Sequence, residues 1–512
     1  MRRHCVAIGL LAACVCQWAG VVHSRTLNPT PRRSLDELDF GIPEFTHSAS
    51  ARRLFDEINL RETQLLDRGR WMSLDEAIAL ALSNNPELAA AYSTIEGKQW
   101  SVIAARRRWY PNLSLSPLRD STLQFGGSEQ RRVSSTDGTT ASADTNQSWN
   151  VQGNLSWTFF DASRQPAIQS AISDLNAQRL LFDVAARNLV LAVQVAYYRM
   201  QEQMRLVDQY KIVTLVASLQ LDHAMEQNQQ GRLHSNEVQQ LRTTQRAEIT
   251  HLIDAYVAMF ELSVELSKLL ALPDMSWVIP SDAFDTEPTW VDSMDQTVTH
   301  AVAFREEIAA AMQQSQAQRW RSSELLGSYW PRLDLLAIGK LDAFNDRAFA
   351  TGQSTTTSQL TAGLGTVGIA LNWNLFDGGI KAADAANRRS TAETLKLQAD
   401  NARLEASAQT RQAYIRYTGA LQQVQNTTDA VADSWSAFIG AIGLFQNRAT
   451  DATTLIQTQA QLVDALTSAA AAQRLRNTSV AELYRYSARW PPDVERMFQK
   501  RLKQQQPIRP GT

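Results

Sequence analysis

Between Asn150 and Met200 the spacing of apolar residues changes from every second position to every third or fourth without a break. Val151, Gly153, Leu155, Trp157 and Phe159 fall on one side, and Gln152, Asn154, Ser156 and Thr158 on the other, as in a strand with one dry and one wet face. After Phe160-Asp161-Ala162-Ser163 the apolar positions run Ile168, Ile172, Leu175, Phe182, Ala186, Leu189, Val193, Ala196 and Met200, a coiled-coil-like seam interrupted by Arg179. A strand therefore feeds directly into a long helix.

The same construction recurs. Val367, Ile369, Leu371, Trp373 and Leu375 alternate with Gly368, Ala370, Asn372 and Asn374, and Phe376-Asp377-Gly378-Gly379 opens a second helical run. The two Trp-x-x-Phe-Asp junctions lie 373 − 157 = 216 residues apart, and Trp109-Tyr110-Pro111 lies 220 before Tyr329-Trp330-Pro331. Ser73-Leu74-Asp75 pairs with Ser293-Met294-Asp295 at the same 220. Such self-similarity predicts an internal duplication.

Taken in order, residues 1–24 resemble an export signal: basic Arg2, Arg3 and His4, an apolar run, then Val22-His23-Ser24 before a cleavage point. An alternative is Leu11-Ala12-Ala13-Cys14, similar to a lipoprotein box, which would make Cys14 a lipidated N-terminus; the apolar run ahead of it is short, so ordinary cleavage ranks first. Cys5, Cys14 and Cys16 are the only cysteines, so ordinary cleavage leaves neither disulfides nor thiolate chemistry. Residues 25–70 read as a polar arm.

The first repeat is expected over 71–275, with a helix capped by Ser73 and Glu76, a second from Pro86, strands near 111–119 and 148–160, and a long helical hairpin. The second is expected over 290–489, with strands near 331–341 and 360–376 and another hairpin, and 490–512 as a polar tail. Asp120–Gln147 and its counterpart Asp342–Gln359 read as polar loops without apolar period. The first seam continues to Gly231, and roughly 60 helical residues would extend about 90 Å at 1.5 Å per residue.

Composition narrows the function. A net charge of −2 gives no basic face for nucleic acid, and no 18-residue apolar run is evident beyond the N-terminal segment, so membrane insertion would be by strands. Strands of about 9–11 residues match a tilted membrane crossing and persist in lipid only within a closed barrel. Four strands cannot close one, so the chain must oligomerise. Trp157, Phe159, Trp373 and Leu375 would face lipid, and Gln152, Asn154, Ser156, Asn372 and Asn374 a wet lumen.

Ser73-Leu74-Asp75-Glu76-Ala77 with Asn84-Asn85-Pro86-Glu87-Leu88, Trp109-Tyr110-Pro111 and the two Trp-x-x-Phe-Asp junctions resemble the outer-membrane efflux protein family, the TolC-like outer-membrane factors, over roughly 71–489. The resemblance implies a mixed α and β membrane protein: a homotrimer with a twelve-stranded β-barrel in the bacterial outer membrane, continued by a periplasmic α-helical barrel. It implies an exit duct for tripartite efflux or type I secretion, served by a periplasmic adaptor (membrane fusion protein) and an inner-membrane pump. It also places adaptor contacts at the hairpin turns: Gly231, Arg232 and Ser235 match the family segment in the first half. In the second, Asn447, Arg448 and Thr450 sit at the equivalent turn, Asn447 replacing the glycine. The aspartate ring that closes the tip in some members has no match between Trp435 and Arg448; Asp222 and Glu226 are the nearby acidic pair that could act as a gate.

Other motifs read blandly. Gly363-Leu364-Gly365-Thr366-Val367-Gly368 fits a dinucleotide fingerprint in letters, but a strand follows where a helix is required. The histidines show no metal-ligand spacing, Arg179 is read as a register or snorkelling residue, and no hydrolase elbow, Walker A loop or HExxH helix is present. No enzyme activity and no cofactor are expected. The rival reading is a periplasmic coiled-coil scaffold or adaptor without a barrel, which the alternating strands disfavour; a stand-alone porin fits the long helices less well.

Overall fold

The computed structural model describes residues 69–116, 127–132, 140–273, 276–284, 289–350 and 356–492, with isolated positions at 53, 56–58, 60 and 494. The segment 1–24 with Cys14, nearly all of the arm 25–70 and most of the tail 490–512 lie outside the described residues.

Helix α1 (Leu74–Asn84) begins at a reciprocal capping box, Glu76 N donating to Ser73 Oγ and Ser73 N to Glu76 Oε2, both at 3.3 Å. Asn85 then caps α2 (Pro86–Arg107): its side-chain oxygen accepts from Glu87 N and Leu88 N, with Pro86 preset for the first turn. Strands β2 (Asn112–Ser116), β3 (Gly127–Arg132) and β4 (Thr140–Phe160) follow. Helix α3 (Arg164–Gln229) leaves β4 and returns as α4 (Ser235–Leu269). The second half repeats the order: α5 (Met294–Phe304, box Ser293/Gln296), α6 (Glu306–Gly327), β6 (Arg332–Ala350), β7 (Thr356–Asn372), α7 (Ile380–Gln446) and α8 (Ala452–Tyr486). Short parallel strands β1 (Arg70–Met72) and β5 (Val278–Pro280) join the halves. Corresponding helices match in length at 11 and 11, 22 and 22, 66 and 67, and 35 and 35 residues.

The main sheet runs β2-β4-β6-β7, antiparallel throughout, with β3 pairing β4 beyond β2. Among the described residues, the two stretches expected as polar loops are strand instead: β3 and the start of β4 fall within 120–147, and the end of β6 and start of β7 within 342–359. Their ladders are made by backbone groups, and residues such as Gly127-Ser128-Glu129-Gln130 leave no apolar period to read. Conversely β7 ends at Asn372, so Trp373 and Leu375 follow the ladder instead of sitting in it.

The chain divides into two compact units. In the larger, the main core gathers Ile78 and Leu82 of α1, Val190, Val193 and Tyr197 of α3, Leu266 of α4 and Leu270 just past its end. This part of α3 also corrects an expectation: an 18-residue window in the helix, mean hydropathy 1.4, is long and apolar enough to cross a membrane by length and composition alone. Along α7 a row of buried alanines, Ala385, Ala392, Ala399, Ala406, Ala413 and Ala420, falls at every seventh residue, joined in the later part of the helix by other buried residues such as Thr410, Tyr417 and Phe438. Ser322 Oγ and Ser315 Oγ of α6 donate to the carbonyls of Ala385 and Ala392, at 2.9 and 2.7 Å.

Candidate functional site

Two regions carry the features a conduit would need, the sheet with its helix junctions and the ends of the helical hairpins. In the sheet, register aligns Leu113 and Leu115 with Leu155 and Gly153, and Leu155 and Trp157 with Ala337 and Leu335. Ala337 and Leu335 in turn face Val367 and Ile369, which gives one apolar surface across the rows. The opposite surface is mixed, carrying Asn154, Ser156, Thr158, Asp334 and Lys340 together with Leu336, Ile338 and Leu364. A polar cluster closes it near the helices: Asp334 accepts from Thr158 Oγ1 (2.5 Å), Arg332 Nε and Asn372 Nδ2 (both 3.0 Å). Arg164 Nη1 of α3 donates to Thr158 O at 2.5 Å, and its guanidinium lies 4.8 Å from the Trp109 ring centre.

The tryptophans singled out by sequence are exposed rings with anchored nitrogens. Trp157 Nε1 donates to Trp109 O at 2.9 Å, and Trp373 Nε1 to Tyr329 O at 3.0 Å, so each strand end is tied to the helix end of its own half. Trp157 stacks beside Phe159 at 6.3 Å, and Phe159 lies at an irregularity in the β4–β6 register. Leu375 is 73% exposed.

The aspartates of the two junctions form the turns. Asp161 Oδ1 accepts from Ser163 N and Oγ, and Asp377 from Gly379 N and Lys381 N, the side chain folding back on its own backbone. Burial would raise the Asp377 carboxyl, but these N–H donors and the Tyr329 hydroxyl hold it below the ordinary carboxylate value. Gly327, at the end of α6, has no room for a side chain: a Cβ there would lie 2.8 Å from Ala162 O.

An ion-pair network, not foreseen from sequence because its members are far apart in the chain, ties α3, α6 and α8. Arg187 Nε meets Glu306 at 2.7 Å while its plane covers Trp490 at 4.1 Å, and Arg485 bonds Glu307 and Asn188. Beside them Asp183 is pushed up to about 6 by burial and then by the Glu306 charge, against the pull of Arg187.

In the smaller unit, Gly231 adopts φ 68° and ends α3 in a Schellman arrangement, Gly231 N donating to Asn228 O and Arg232 N to Gln227 O. The second turn uses the same bonds, Arg448 N to Phe445 O and Ala449 N to Leu444 O, but the left-handed residue is Arg448, at φ 60°. Asn447, expected to replace the glycine, remains helical in its bonding, with its Nδ2 donating to Gly443 O at 2.9 Å. The extra residue in α7 moves the equivalence from 216 to 217. Arg232 and Ser235 are exposed and Thr450 half-buried; Asp222 is half-buried and Glu226 exposed. A feature that sequence reasoning missed links the two hairpins: buried Gln459 Nε2 donates to buried Glu248 Oε1 at 3.0 Å. Only spatial proximity across 211 residues reveals it.

Residues 77–271 match the family model described as outer membrane efflux protein. The fold resembles that of the Campylobacter jejuni CmeC outer membrane channel (TM-score 0.64, 14% identity, covering 83% of this chain and 89% of that one). It also resembles the Vibrio cholerae outer membrane protein VceC (0.61, 16%, 81% and 95%) and the open state of the Neisseria gonorrhoeae MtrE channel (0.62, 15%, 81% and 89%). No curated protein matches by sequence. CmeC and MtrE are outer membrane channels and VceC an outer membrane protein; among the described residues of this chain no group of three or more His, Cys, Asp or Glu could hold a metal. The sequence match over residues 77–271 and the fold likeness over 83% of the chain point the same way: the chain is similar to outer-membrane efflux proteins.

Proposed function

We propose that the chain is a passive exit duct, a homotrimer whose internal duplication supplies four strand rows per copy to a twelve-stranded barrel. The observation that carries this is the sheet itself. One surface is apolar and the other carries most of the polar side chains, the outer rows β2 and β7 are open edges among the described residues, and the strands lead into helices of 66 and 67 residues. An open edge facing lipid leaves backbone groups unsatisfied, so the edges must meet those of other copies.

In this reading the duct sits in the outer membrane with its helices in the periplasm, and takes cargo from an inner-membrane pump through a periplasmic adaptor. Gly231, Arg232, Ser235, Asn447, Arg448 and Thr450 form the adaptor-facing turns. Asp222 and Glu226 face the gate, and Trp157, Phe159, Trp373 and Leu375 face lipid. Reversing both Arg232 and Arg448 to Glu is expected to abolish export while trimers still assemble in outer-membrane extracts. Undiminished export by that variant would overturn the assignment of the turns.

A further inference from the structure

The two 22-residue helices that lead into the sheet end alike but carry different charge. At the end of α2, Trp109 N and Tyr110 N donate to the carbonyls of Arg106 and Arg107 at 3.2 and 3.0 Å. At the end of α6, Tyr329 N and Trp330 N donate in the same way to Leu326 and Gly327, at 3.2 and 3.1 Å. Backbone bonds thus close both helices, and the last turn of α6 does so without a basic residue. Arg106-Arg107-Arg108 stands where the second half has Leu326-Gly327-Ser328, so the helix end itself does not call for three arginines. All three are exposed, and among the described residues their guanidinium groups enter no ion pair or hydrogen bond. Glu324 of α6 feels the charge of Arg108 and balances one of the three. The helix C-terminus adds only about half a negative charge, so the cluster stays positive.

The cluster also sits at a defined level. Trp109 and Tyr110 follow it directly, 43% and 72% exposed, and Trp157, Trp330 and Trp373 are exposed at the same boundary between strands and helices. Exposed tryptophan and tyrosine at strand ends mark where hydrocarbon gives way to headgroups. In the proposed duct, on whose membrane placement this inference rests, the three arginines lie within one helical turn of that level, on the helix side. We propose that Arg106, Arg107 and Arg108, with Trp109 and Tyr110, form a docking patch for anionic phospholipid headgroups in the leaflet nearest the long helices. A guanidinium presents paired N–H donors that match phosphate oxygens, and its long stem lets the charge reach the headgroup layer while the rings stay below. The second half has no equivalent run of charge, so each copy carries one patch.

The test is lipid retention in detergent, followed by native mass measurement with phosphatidylglycerol or phosphatidylcholine added. The wild type should hold phosphatidylglycerol at least about tenfold more tightly than phosphatidylcholine. The triple variant Arg106→Gln/Arg107→Gln/Arg108→Gln should lose that preference while binding phosphatidylcholine as before. A triple lysine variant, which keeps the charge, should retain most of it. Inorganic phosphate should not displace the lipid. Melting separates a lipid patch from a helix-end role: the glutamine variant should melt with the wild type in phosphatidylcholine and below it in phosphatidylglycerol. An equal loss in both lipids overturns the patch, as does a glutamine variant that keeps the preference, a lysine variant that loses it, or displacement by phosphate. Vesicle flotation distinguishes the two levels of failure. A wild type that floats with vesicles but shows no lipid preference overturns the patch alone; one that floats with neither lipid overturns the membrane placement as well.

Discussion

At the residue scale, the backbone at the hairpin ends does not follow the usual preference for glycine. Gly231 takes the left-handed conformation at one turn, but Arg448 takes it at the other, and Ala271 and Ala488 do so where α4 and α8 end. An L-residue held there costs about 1–2 kcal/mol, partly offset because glycine loses more entropy on folding. Arg448→Gly should therefore stabilise its turn by roughly 0.5–1 kcal/mol, seen as a higher denaturant midpoint, even though it removes a side chain proposed to meet the adaptor. A lower midpoint would mean that the arginine makes a compensating contact. Asp183 gives a second residue-level test. Its folded value of about 6 exceeds the ordinary aspartate value of 3.8, so the fold prefers the protonated acid. That preference is full below the unfolded value and is lost as pH rises through about 6. Asp183→Asn should melt above the wild type at pH 8 and alongside it near pH 4; a constant difference across that range would rule the titration out.

At the element scale, the junctions explain why the same letters recur. Tryptophan anchors the strand end, aspartate makes the turn, and small residues follow where a helix end packs close. Gly327→Ala, with its Cβ at 2.8 Å from Ala162 O, should destabilise by about 1–3 kcal/mol in chemical denaturation. An unchanged midpoint would show that the junction yields. Much of this scale was legible from sequence. Ser73-x-x-Glu76 and Ser293-x-x-Gln296 state their helix starts chemically, and the change of period at Phe160 marks where β4 yields to α3. What was not legible has physical causes. Residues 140–149 of β4 are mostly polar in sequence, with only Ala141, Ala143 and Trp149 apolar, although backbone pairing makes them strand. The left-handed turn residue moved from Asn447 to Arg448 because α7 is one residue longer than α3, which an offset measured at the junction cannot show.

At the scale of the whole molecule, the halves are alike in order and length yet unlike in what they cover. Both α2 and α6 pack within the chain, but Ala310 and Ala317 of α6 are buried where Ala90 and Gly97 of α2 are exposed. The seam of alanines along α7 has a consequence of a different kind. A buried alanine removes far less apolar surface from water than a leucine, so each turn of this contact gains little from the hydrophobic effect. Its serine-to-carbonyl bonds add only modest net stability. In hydrogen-exchange terms, amides of α7 between Ala385 and Ala406 should open at lower free energy than those of α3 around Val190 to Tyr197, where leucines and tyrosines fill the core. Equal protection in the two stretches would show that the alanine seam is as rigid as the core. Faster exchange would mark this stretch of α7 as the part that yields first if the proposed duct changes shape.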